Sequence, residues 1–276
     1  MLQSCDMDSV GPCRRSAPGL GLRMFYGLIK AVLSPIFRVL FRVRVHGIEN
    51  LPMSGGLVIA CNHQAFCDSL FLPMVTPRRV TFVAKAEYFE SWKTRWFFRA
   101  VGQIPMERSG GSASQKALGE ALEILLAGGC IGIYPEGTRP PDERLHRGRT
   151  GVARLALAAH CPVVPAGIKG TRAIQPIGAR LLRPFKPVDI SFGAPIDLSA
   201  RYGSRLEEPL VLRQATDEIM WEIRQLTGQQ YVDRYASRSA QAAEDAKAAA
   251  ASPPSDDRTD RVGGDPMPIA AFAQEG

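Results

Sequence analysis

Short apolar runs alternate with longer amphipathic segments along most of the chain, from about residue 43 to residue 226. The short runs are rich in Val and Ile and are bounded by Gly, Pro or polar residues, which is typical of buried β-strands. The longer segments carry apolar residues at helical spacing and start or stop at Ser and Gly. Strands that alternate with helices predict an α/β fold, in which a mixed β-sheet is flanked by helices.

The positions of the predicted elements follow from these runs. Strands are predicted at residues 43–45, 57–61, 80–84, 103–107, 130–134, 163–168 and 188–192. Helices are predicted at residues 87–101, 112–127, 149–160 and 209–226, and a further helix is predicted to start at Ser69. The chain has 276 residues, which is enough for one large domain with tails. We place this α/β domain at residues 44–235.

The two ends of the chain differ from the middle in composition. Residues 1–19 are largely polar and predict a disordered leader. Residues 236–276 are rich in Ala, Ser, Pro and Asp and predict a disordered tail. Asp6 and Asp8 lie in the leader, and no clear cleavage site follows it, so a secretory signal is not expected.

Residues 20–43 combine aromatic and aliphatic side chains with interspersed Arg and Lys. Pro35 is expected to divide this segment into two short helices. The first would have ~15 residues and a length of about 22 Å, too short for the ~30 Å core of a bilayer. Apolar bulk with spaced cations favours a helix pair lying in the membrane interface. The alternative is an amphipathic helix packed on the domain core.

The formal net charge of the chain is +7 and is unevenly distributed. Residues 236–276 have a balance of −3, so the other residues carry +10. A basic body indicates an anionic partner, namely nucleic acid, anionic lipid or a phosphorylated substrate. The six Cys include no Cys-x-x-Cys pair and the four His lack ligand spacing. We therefore expect buried thiols in a reducing compartment and no metal site.

The segment Asn62–Asp68, Asn-His-Gln-Ala-Phe-Cys-Asp, lies between a predicted strand and a predicted helix. In open α/β sheets, ligands bind where strands end and helices begin. The spacing allows a tight turn to bring the Asp68 carboxylate back to the imidazole of His63, which would fix its tautomer and raise its basicity. The pair is a candidate general base for a hydroxyl. The alternative is a helix cap with a satisfied polar pair.

Two more clusters follow predicted strands and carry arginines. Gly-Gln-Ile-Pro-Met-Glu-Arg ends in Arg108, and Tyr-Pro-Glu-Gly-Thr-Arg, residues 134–139, ends in Arg139. Gly137 allows a tight turn with exposed backbone N–H groups, and such turns bind anions. The forked donors of the two guanidinium groups are suited to a phosphate.

Glu136 stands beside these cations and is expected to orient Arg108 or a substrate hydroxyl. Thr138 adds a hydroxyl to the same cluster. A fourth cluster, Val164-Pro165-Ala166, is placed at a strand end and is expected to shape a pocket wall.

Together the clusters resemble the four ordered motifs of the glycerolipid acyltransferase family, and within it the lysophosphatidic acid acyltransferases (1-acyl-sn-glycerol-3-phosphate acyltransferases). The matching motifs are Asn62-His63-x4-Asp68, Gly102-x-Ile-Pro-x-x-Arg108, Tyr134-Pro-Glu-Gly-Thr-Arg139 and Val164-Pro165. The resemblance covers about residues 24–226. Tyr134 stands where the family usually has Phe, and Ala166 departs from the usual Val-Pro-Val.

The resemblance implies a role for each motif residue. His63 would be the general base and Asp68 its partner. The acceptor phosphate would be bound by Arg108, Glu136, Gly137, Thr138 and Arg139.

The resemblance also implies a reaction and its partners. A fatty acyl group would move from a thioester of coenzyme A or acyl carrier protein to the free hydroxyl of lysophosphatidic acid, giving phosphatidic acid in phospholipid biosynthesis. The thioester is a co-substrate, and no tightly bound cofactor, metal or nucleic acid is expected. Together with the predicted interfacial helices, the resemblance implies an enzyme that lies peripherally on the cytoplasmic face of the cell membrane, in contact with anionic lipids.

Three alternatives stay open from the sequence. The same chemistry could act on another lysophospholipid or on a glycolipid. Cys61 or Cys67 could act as a nucleophile with His63, although the neighbouring Asp68 would raise the thiol pKa of Cys67. The chain could also be a basic protein without enzymatic activity that binds an anionic membrane or nucleic acid.

Overall fold

The computed structural model describes residues 20–85, 104–106, 112–179, 181–203, 205 and 208–236. The predicted leader, the predicted helix at residues 87–101 and all but the first residue of the predicted tail lie outside these ranges. The other predicted strands and helices of the α/β domain are present, and their bounds differ from the prediction by no more than two residues.

Seven strands of the described residues form one sheet, and two short strands pair separately. The strands are β1 (Val43–His46), β2 (Leu57–Cys61), β3 (Val80–Lys85), β4 (Ile104–Met106), β5 (Cys130–Ile133), β6 (Leu145–His146), β7 (Val163–Lys169), β8 (Val188–Phe192) and β9 (Tyr231–Val232). The large sheet has the order β1-β8-β7-β2-β5-β3-β4, and β6 pairs with β9. Only β7 and β8 pair antiparallel, so the predicted mixed sheet is confirmed.

Helices cover both faces of this sheet. They are α1 (Leu20–Leu40), α2 (Asp68–Val75), α3 (Ser112–Leu126), α4 (Gly151–Ala158), α5 (Thr171–Ile174), α6 (Leu198–Tyr202) and α7 (Pro209–Thr227). The helices α3, α4 and α7 pack on one face, and α2 with the end of α1 packs on the other.

Strand β2 shows how the two faces determine the sequence pattern. Val58 and Ala60 pack in the core on the α4 side, while Leu57, Ile59 and Cys61 pack in the core on the α2 side. All five side chains are buried. Since successive side chains of a strand point to opposite faces, a strand covered on both sides is apolar at every position.

Pro165 lies inside β7. The predicted position at a strand end is therefore wrong. The carbonyl of Pro165 faces β8 and accepts a hydrogen bond from the N–H of Gly193 at 2.8 Å. Regular pairing with β8 is interrupted here, between an isolated bridge at Val163 and the first ladder pair at Ala166. Proline has no N–H, so it fits a central strand where the ladder is already interrupted.

Helix α1 is a single helix of 21 residues that contains Pro35, so the predicted division into a helix pair is wrong. Before Pro35, the ammonium group of Lys30 donates to the carbonyl of Thr76, and Oγ of Ser34 donates to the carbonyl of Met74 at 2.8 Å. These bonds fasten the middle of α1 to the end of α2.

After Pro35, aromatic packing continues the contact between the two helices. The rings of Phe37 and Phe41 lie 5.6 and 5.2 Å from the ring of Phe71 in α2. Contacts on both sides of Pro35 thus offset the ~3 kcal/mol that an internal proline costs a helix.

Helix α1 is long enough to span a bilayer core, because its 21 residues rise about 31 Å. Its composition differs from that of a membrane-spanning helix, since Arg23, Lys30 and Arg38 interrupt the apolar sequence. Among the described residues, no helix combines the length and the apolar character that crossing a bilayer requires.

Candidate active site

The ends of three neighbouring parallel strands, β2, β5 and β7, lie at one edge of the sheet. Strand β2 leads to His63, β5 leads to Tyr134 and Glu136, and α2 begins at Asp68. Because parallel strands run in the same direction, their carboxyl ends bring together side chains that are far apart in the sequence. The first and third clusters of the sequence analysis therefore meet at this edge.

His63 and Asp68 form the contact that their spacing predicted. Nδ1 of the imidazole lies 3.0 Å from Oδ2 of the carboxylate, and the same oxygen accepts the backbone N–H groups of Gln64 and Ala65 at 2.7 and 2.8 Å. Asp68 is completely buried, while 16% of the His63 side chain is exposed. The carboxylate is thus fixed by the turn, and the imidazole that it orients can reach a bound substrate.

The ring of Tyr134 stacks on this imidazole, with centroids 3.9 Å apart and planes 9° from parallel. The Tyr134 hydroxyl forms a hydrogen bond with Oγ of Ser69 at 3.0 Å. The ring of Phe82 packs against the ring of Tyr134, with centroids 5.3 Å apart. Tyr134 therefore restricts the plane of the His63 ring, while Asp68 restricts its rotation within that plane. This role could not be predicted from the sequence, because only the fold brings His63 and Tyr134 together.

Glu136 is also completely buried, and its two oxygens accept backbone N–H groups. Oε1 accepts from His63 at 3.1 Å and Oε2 accepts from His146 at 2.9 Å. Burial raises the pKa of Glu136 to about 8, although the two N–H donors oppose that rise. These bonds hold the turn that carries His63. The contact of Glu136 with Arg108 or a substrate hydroxyl stays a prediction, because Arg108 lies outside the described residues.

The pH dependence of stability should report the burial of Glu136. An unfolded glutamate has a pKa of ~4.3, so between that pH and about 8 the folded protein retains a proton that the unfolded chain has released. The stability due to this proton is complete below pH ~4.3 and falls as the pH rises toward about 8, with a slope of up to ~1.4 kcal/mol per pH unit.

Urea unfolding of the wild type and of Glu136→Gln at several pH values measures this slope. The free energy of unfolding of the wild type, relative to that of Glu136→Gln, should decrease from pH 5 to pH 8. Glu123→Gln changes an exposed glutamate of α3 and serves as the control. A difference between wild type and Glu136→Gln that is constant over this range would contradict the assignment.

The turn after β5 is closed by its own hydrogen bonds. Gly137 has φ +74°, and its N–H donates to the carbonyl of Tyr134 at 2.9 Å. The positive φ favours glycine at this position, while a Cβ here would lie 2.8 Å from Nε of Arg149, an exposed side chain that can move aside. The N–H of Gly137 is occupied within the turn, and anion binding here would use other groups.

Of the remaining predicted phosphate ligands, Thr138 and Arg139 belong to the described residues and Arg108 does not. Burial, and then the charge of Asp68, raise the pKa of the Cys67 thiol far above its usual range, while Arg139 acts in the opposite direction. Arg139 directly follows the turn after β5. Thr138 is buried in the same turn, and Arg108 lies outside the described residues.

The two cysteines beside His63 are poor candidates for a nucleophile. Burial raises the pKa of Cys61 well above its usual range, and Asp68 and Glu136 raise it further. The thiol of Cys67 is shifted in the same direction. Since the thiolate is the nucleophilic form, both thiols are held in their unreactive state.

Asn62 connects the end of β2 to β7. Its Nδ2 donates to the carbonyl of Ile168 at 2.9 Å, and its Oδ1 accepts the N–H of the same residue at 2.8 Å. Oε1 of Gln229, just beyond α7, accepts from Nδ2 at 2.9 Å. The side-chain amide thus extends the strand ladder by one step, and the backbone is free to turn away toward His63.

Comparison with known proteins gives the same assignment as the motifs. Residues 42–169 match the family model Acyltransferase. The chain is 32% identical over 130 residues to a 1-acyl-sn-glycerol-3-phosphate acyltransferase of Bacillus subtilis, covering 46% of this chain and 63% of the relative. It is 28% identical over 168 residues to a chloroplastic 1-acyl-sn-glycerol-3-phosphate acyltransferase of Brassica napus, covering 60% of this chain and 47% of the relative.

A solved structure has a similar fold. The 1-acyl-sn-glycerophosphate (LPA) acyltransferase PlsC of Thermotoga maritima superposes with a TM-score of 0.59 and 25% sequence identity, covering 74% of this chain and 80% of that one. The matched segments span from about two fifths to two thirds of the length of the first relatives. Residues 42–169, which contain the strand-edge histidine and aspartate, are therefore similar to the acyltransferase family over just under half of the chain.

Proposed function

We propose that this protein transfers a fatty acyl group from a thioester donor to the free hydroxyl of lysophosphatidic acid, giving phosphatidic acid in phospholipid biosynthesis. The observation that carries the proposal is the contact of 3.0 Å between the partly exposed His63 and the buried Asp68 at the strand edge. The relatives named as 1-acyl-sn-glycerol-3-phosphate acyltransferases support the choice of acceptor.

His63 acts as the general base in this mechanism. The Asp68 carboxylate accepts a hydrogen bond from the protonated Nδ1, so Nε2 carries the free electron pair. Within the described residues, Nε2 of His63 forms no hydrogen bond. Nε2 removes the proton from the acceptor hydroxyl while the oxygen attacks the thioester carbonyl.

The tetrahedral intermediate then collapses. The carbon–sulfur bond breaks, and the leaving thiolate takes the proton from the imidazolium, which returns His63 to its starting state. Because a thioester is already activated, no covalent bond to the enzyme is needed. This fits the two buried, protonated thiols beside His63.

Cationic and hydroxyl groups of the third cluster bind the acceptor phosphate in this proposal. Thr138 lies in the turn after β5, and Arg139 directly follows it. Arg108 completes the set by family resemblance. The donor is a thioester of coenzyme A or of acyl carrier protein, and reaction takes place peripherally at the cytoplasmic face of the membrane.

Replacement of Arg139 by alanine should raise the KM for lysophosphatidic acid by roughly 10- to 100-fold, since a hydrogen bond to a charged group contributes ~1.5–3 kcal/mol. The turnover number should change less, because the phosphate does not react. Steady-state kinetics with varied acceptor measures both constants. Arg154→Ala removes an exposed arginine of α4 and should leave them unchanged. An unaltered KM in Arg139→Ala would remove this residue from the phosphate site.

Thiol release from acyl-coenzyme A, followed with and without lysophosphatidic acid, tests the proposed function. Release should depend on the acceptor and should be accompanied by phosphatidic acid. A panel that includes a lysophospholipid with a choline headgroup and a monoacylglycerol tests the acceptor. Equal rates without a phosphomonoester would contradict the lysophosphatidic acid assignment, and no release with any acceptor or donor would contradict acyl transfer.

A further inference from the structure

Two separate segments of the chain expose large apolar side chains next to one another. In α1 these are Val32, Ile36 and Val39, and in the loop between α5 and β8 they are Leu181 and Phe185. Ile36, Val39 and Phe185 line one apolar groove. We call these five residues the apolar patch.

The loop at residues 181–186 is held in place from below. The N–H of Phe185 donates to the carbonyl of Leu40 at 2.8 Å, and the N–H of Arg183 donates to the carbonyl of Ile174 at 2.9 Å. Leu182 packs on the core that lies beneath α1 and α2. Its neighbour Leu181 points the other way and is 83% exposed.

Phe185 is held in an unfavourable conformation. Its φ is +64°, a region that residues other than Gly, Asn and Asp rarely adopt, and its side chain is 65% exposed. The hydrogen bond from its N–H to Leu40 holds this conformation, while the exposed aromatic side chain itself gains little from folding. Such a residue is expected where the side chain is used in binding.

The two segments that carry the apolar patch are basic. Residues 20–48 and 169–188 contain no Asp or Glu. Arg38 and Arg42 of the first segment and Arg183 and Lys186 of the second are exposed and lie close in the sequence to the patch residues. Exposed apolar side chains together with exposed cations are the chemistry that fits an anionic bilayer surface, where each cation adds ~1 kcal/mol.

We propose that the loop at residues 181–186 inserts into an anionic lipid surface next to α1, as a second membrane-binding element. The longer segment between α5 and β8, which carries this loop, also contacts the candidate active site, because Oε1 of Gln175 at the start of that segment accepts the N–H of Cys67 at 2.9 Å. Cys67 precedes Asp68, so the segment that carries the loop is bonded to the catalytic turn. The inference deepens the proposed function, in which the acceptor is a lipid that must pass from the bilayer to His63.

Vesicle binding by the full-length chain tests the proposal. Phe185→Asn and Leu181→Ser are compared with the wild type by sedimentation with vesicles of phosphatidylglycerol and phosphatidylcholine in equal parts, and with vesicles of phosphatidylcholine alone. Each substitution should lower the partition coefficient for the anionic vesicles by roughly tenfold. The wild type should bind the phosphatidylcholine vesicles much more weakly.

The chosen variants separate a binding defect from a folding defect. Asn accommodates positive φ, so Phe185→Asn should keep or raise the thermal unfolding midpoint while it lowers binding. Leu126→Ser is the matched control, because Leu126 at the end of α3 is 66% exposed and lies outside the patch. This control should bind vesicles as the wild type does.

Three results would overturn the inference: no vesicle binding by the wild type, unchanged binding in both loop variants, or an equal loss in Leu126→Ser. Binding is measured without donor or acceptor, so its outcome is independent of thiol release. A protein that binds vesicles through the loop but releases no thiol would refute the proposed reaction and leave the loop assignment in place. A protein that turns over soluble substrates, and whose vesicle binding is unchanged in both loop variants, would refute the loop assignment and leave the proposed reaction in place.

Discussion

Replacement of His63 by alanine is expected to lower the turnover number for acyl transfer by roughly 10²- to 10⁴-fold, the range that general base catalysis contributes. The imidazole is the group that Asp68 orients and Tyr134 stacks against, and alanine leaves no base at this position. The acceptor hydroxyl would then lose its proton only to water. Steady-state thiol release with saturating donor and acceptor measures the change.

A loss of turnover in His63→Ala supports the mechanism only if the variant is folded. The far-ultraviolet circular dichroism and the thermal midpoint of His63→Ala should show that the sheet is intact. His46→Ala changes an exposed histidine on β1, at an edge of the described sheet, and should retain wild-type turnover. A loss of less than about tenfold in well-folded His63→Ala would exclude general base catalysis by this residue.

Asp68→Asn should also lower the turnover number, by roughly 10²-fold or more, with a smaller effect on either KM. The amide oxygen can take the place of Oδ2 and keep the N–H groups of Gln64 and Ala65. The amide nitrogen would then occupy the place of Oδ1, which is buried and has no hydrogen-bond partner within the described residues. The variant thus keeps the turn and loses the negative charge that stabilises the imidazolium.

Asp197→Asn provides a matched comparison. Asp197 also accepts a backbone N–H at the start of a helix, from Ala200 at 3.0 Å, but it lies at α6. Its replacement removes a carboxylate that accepts a backbone N–H without touching His63 and should leave turnover unchanged. Equal turnover in wild type and Asp68→Asn would show that Asp68 only holds the turn that precedes α2.

The strands and the position of the candidate site could be predicted because both depend on local pattern. A strand such as β2, covered on both faces, is apolar at every position, and parallel strands place their carboxyl ends at one edge. His63 and Asp68 are five residues apart, so their contact is made within one turn. No long-range information was required for these features.

The features that could not be predicted depend on residues distant in the sequence. Pro35 was expected to end a helix, but packing of Phe37 and Phe41 on α2 carries the helix through it. The stack of Tyr134 on His63 and the bonds from Glu136 to the backbone join segments that only the sheet brings together. Local pattern identifies the residue types at such positions, and tertiary packing decides what they contact.

The buried carboxyl group of Glu136 has a further consequence for how the molecule comes apart. It ties the backbone that follows β2 to β6, and it is itself part of the turn after β5. Separating either neighbouring segment from this turn would break one of the two hydrogen bonds, at a cost of ~1–3 kcal/mol each. Local opening should therefore start in other parts of the fold, and the backbone around His63 should be among the last to exchange its hydrogens with solvent.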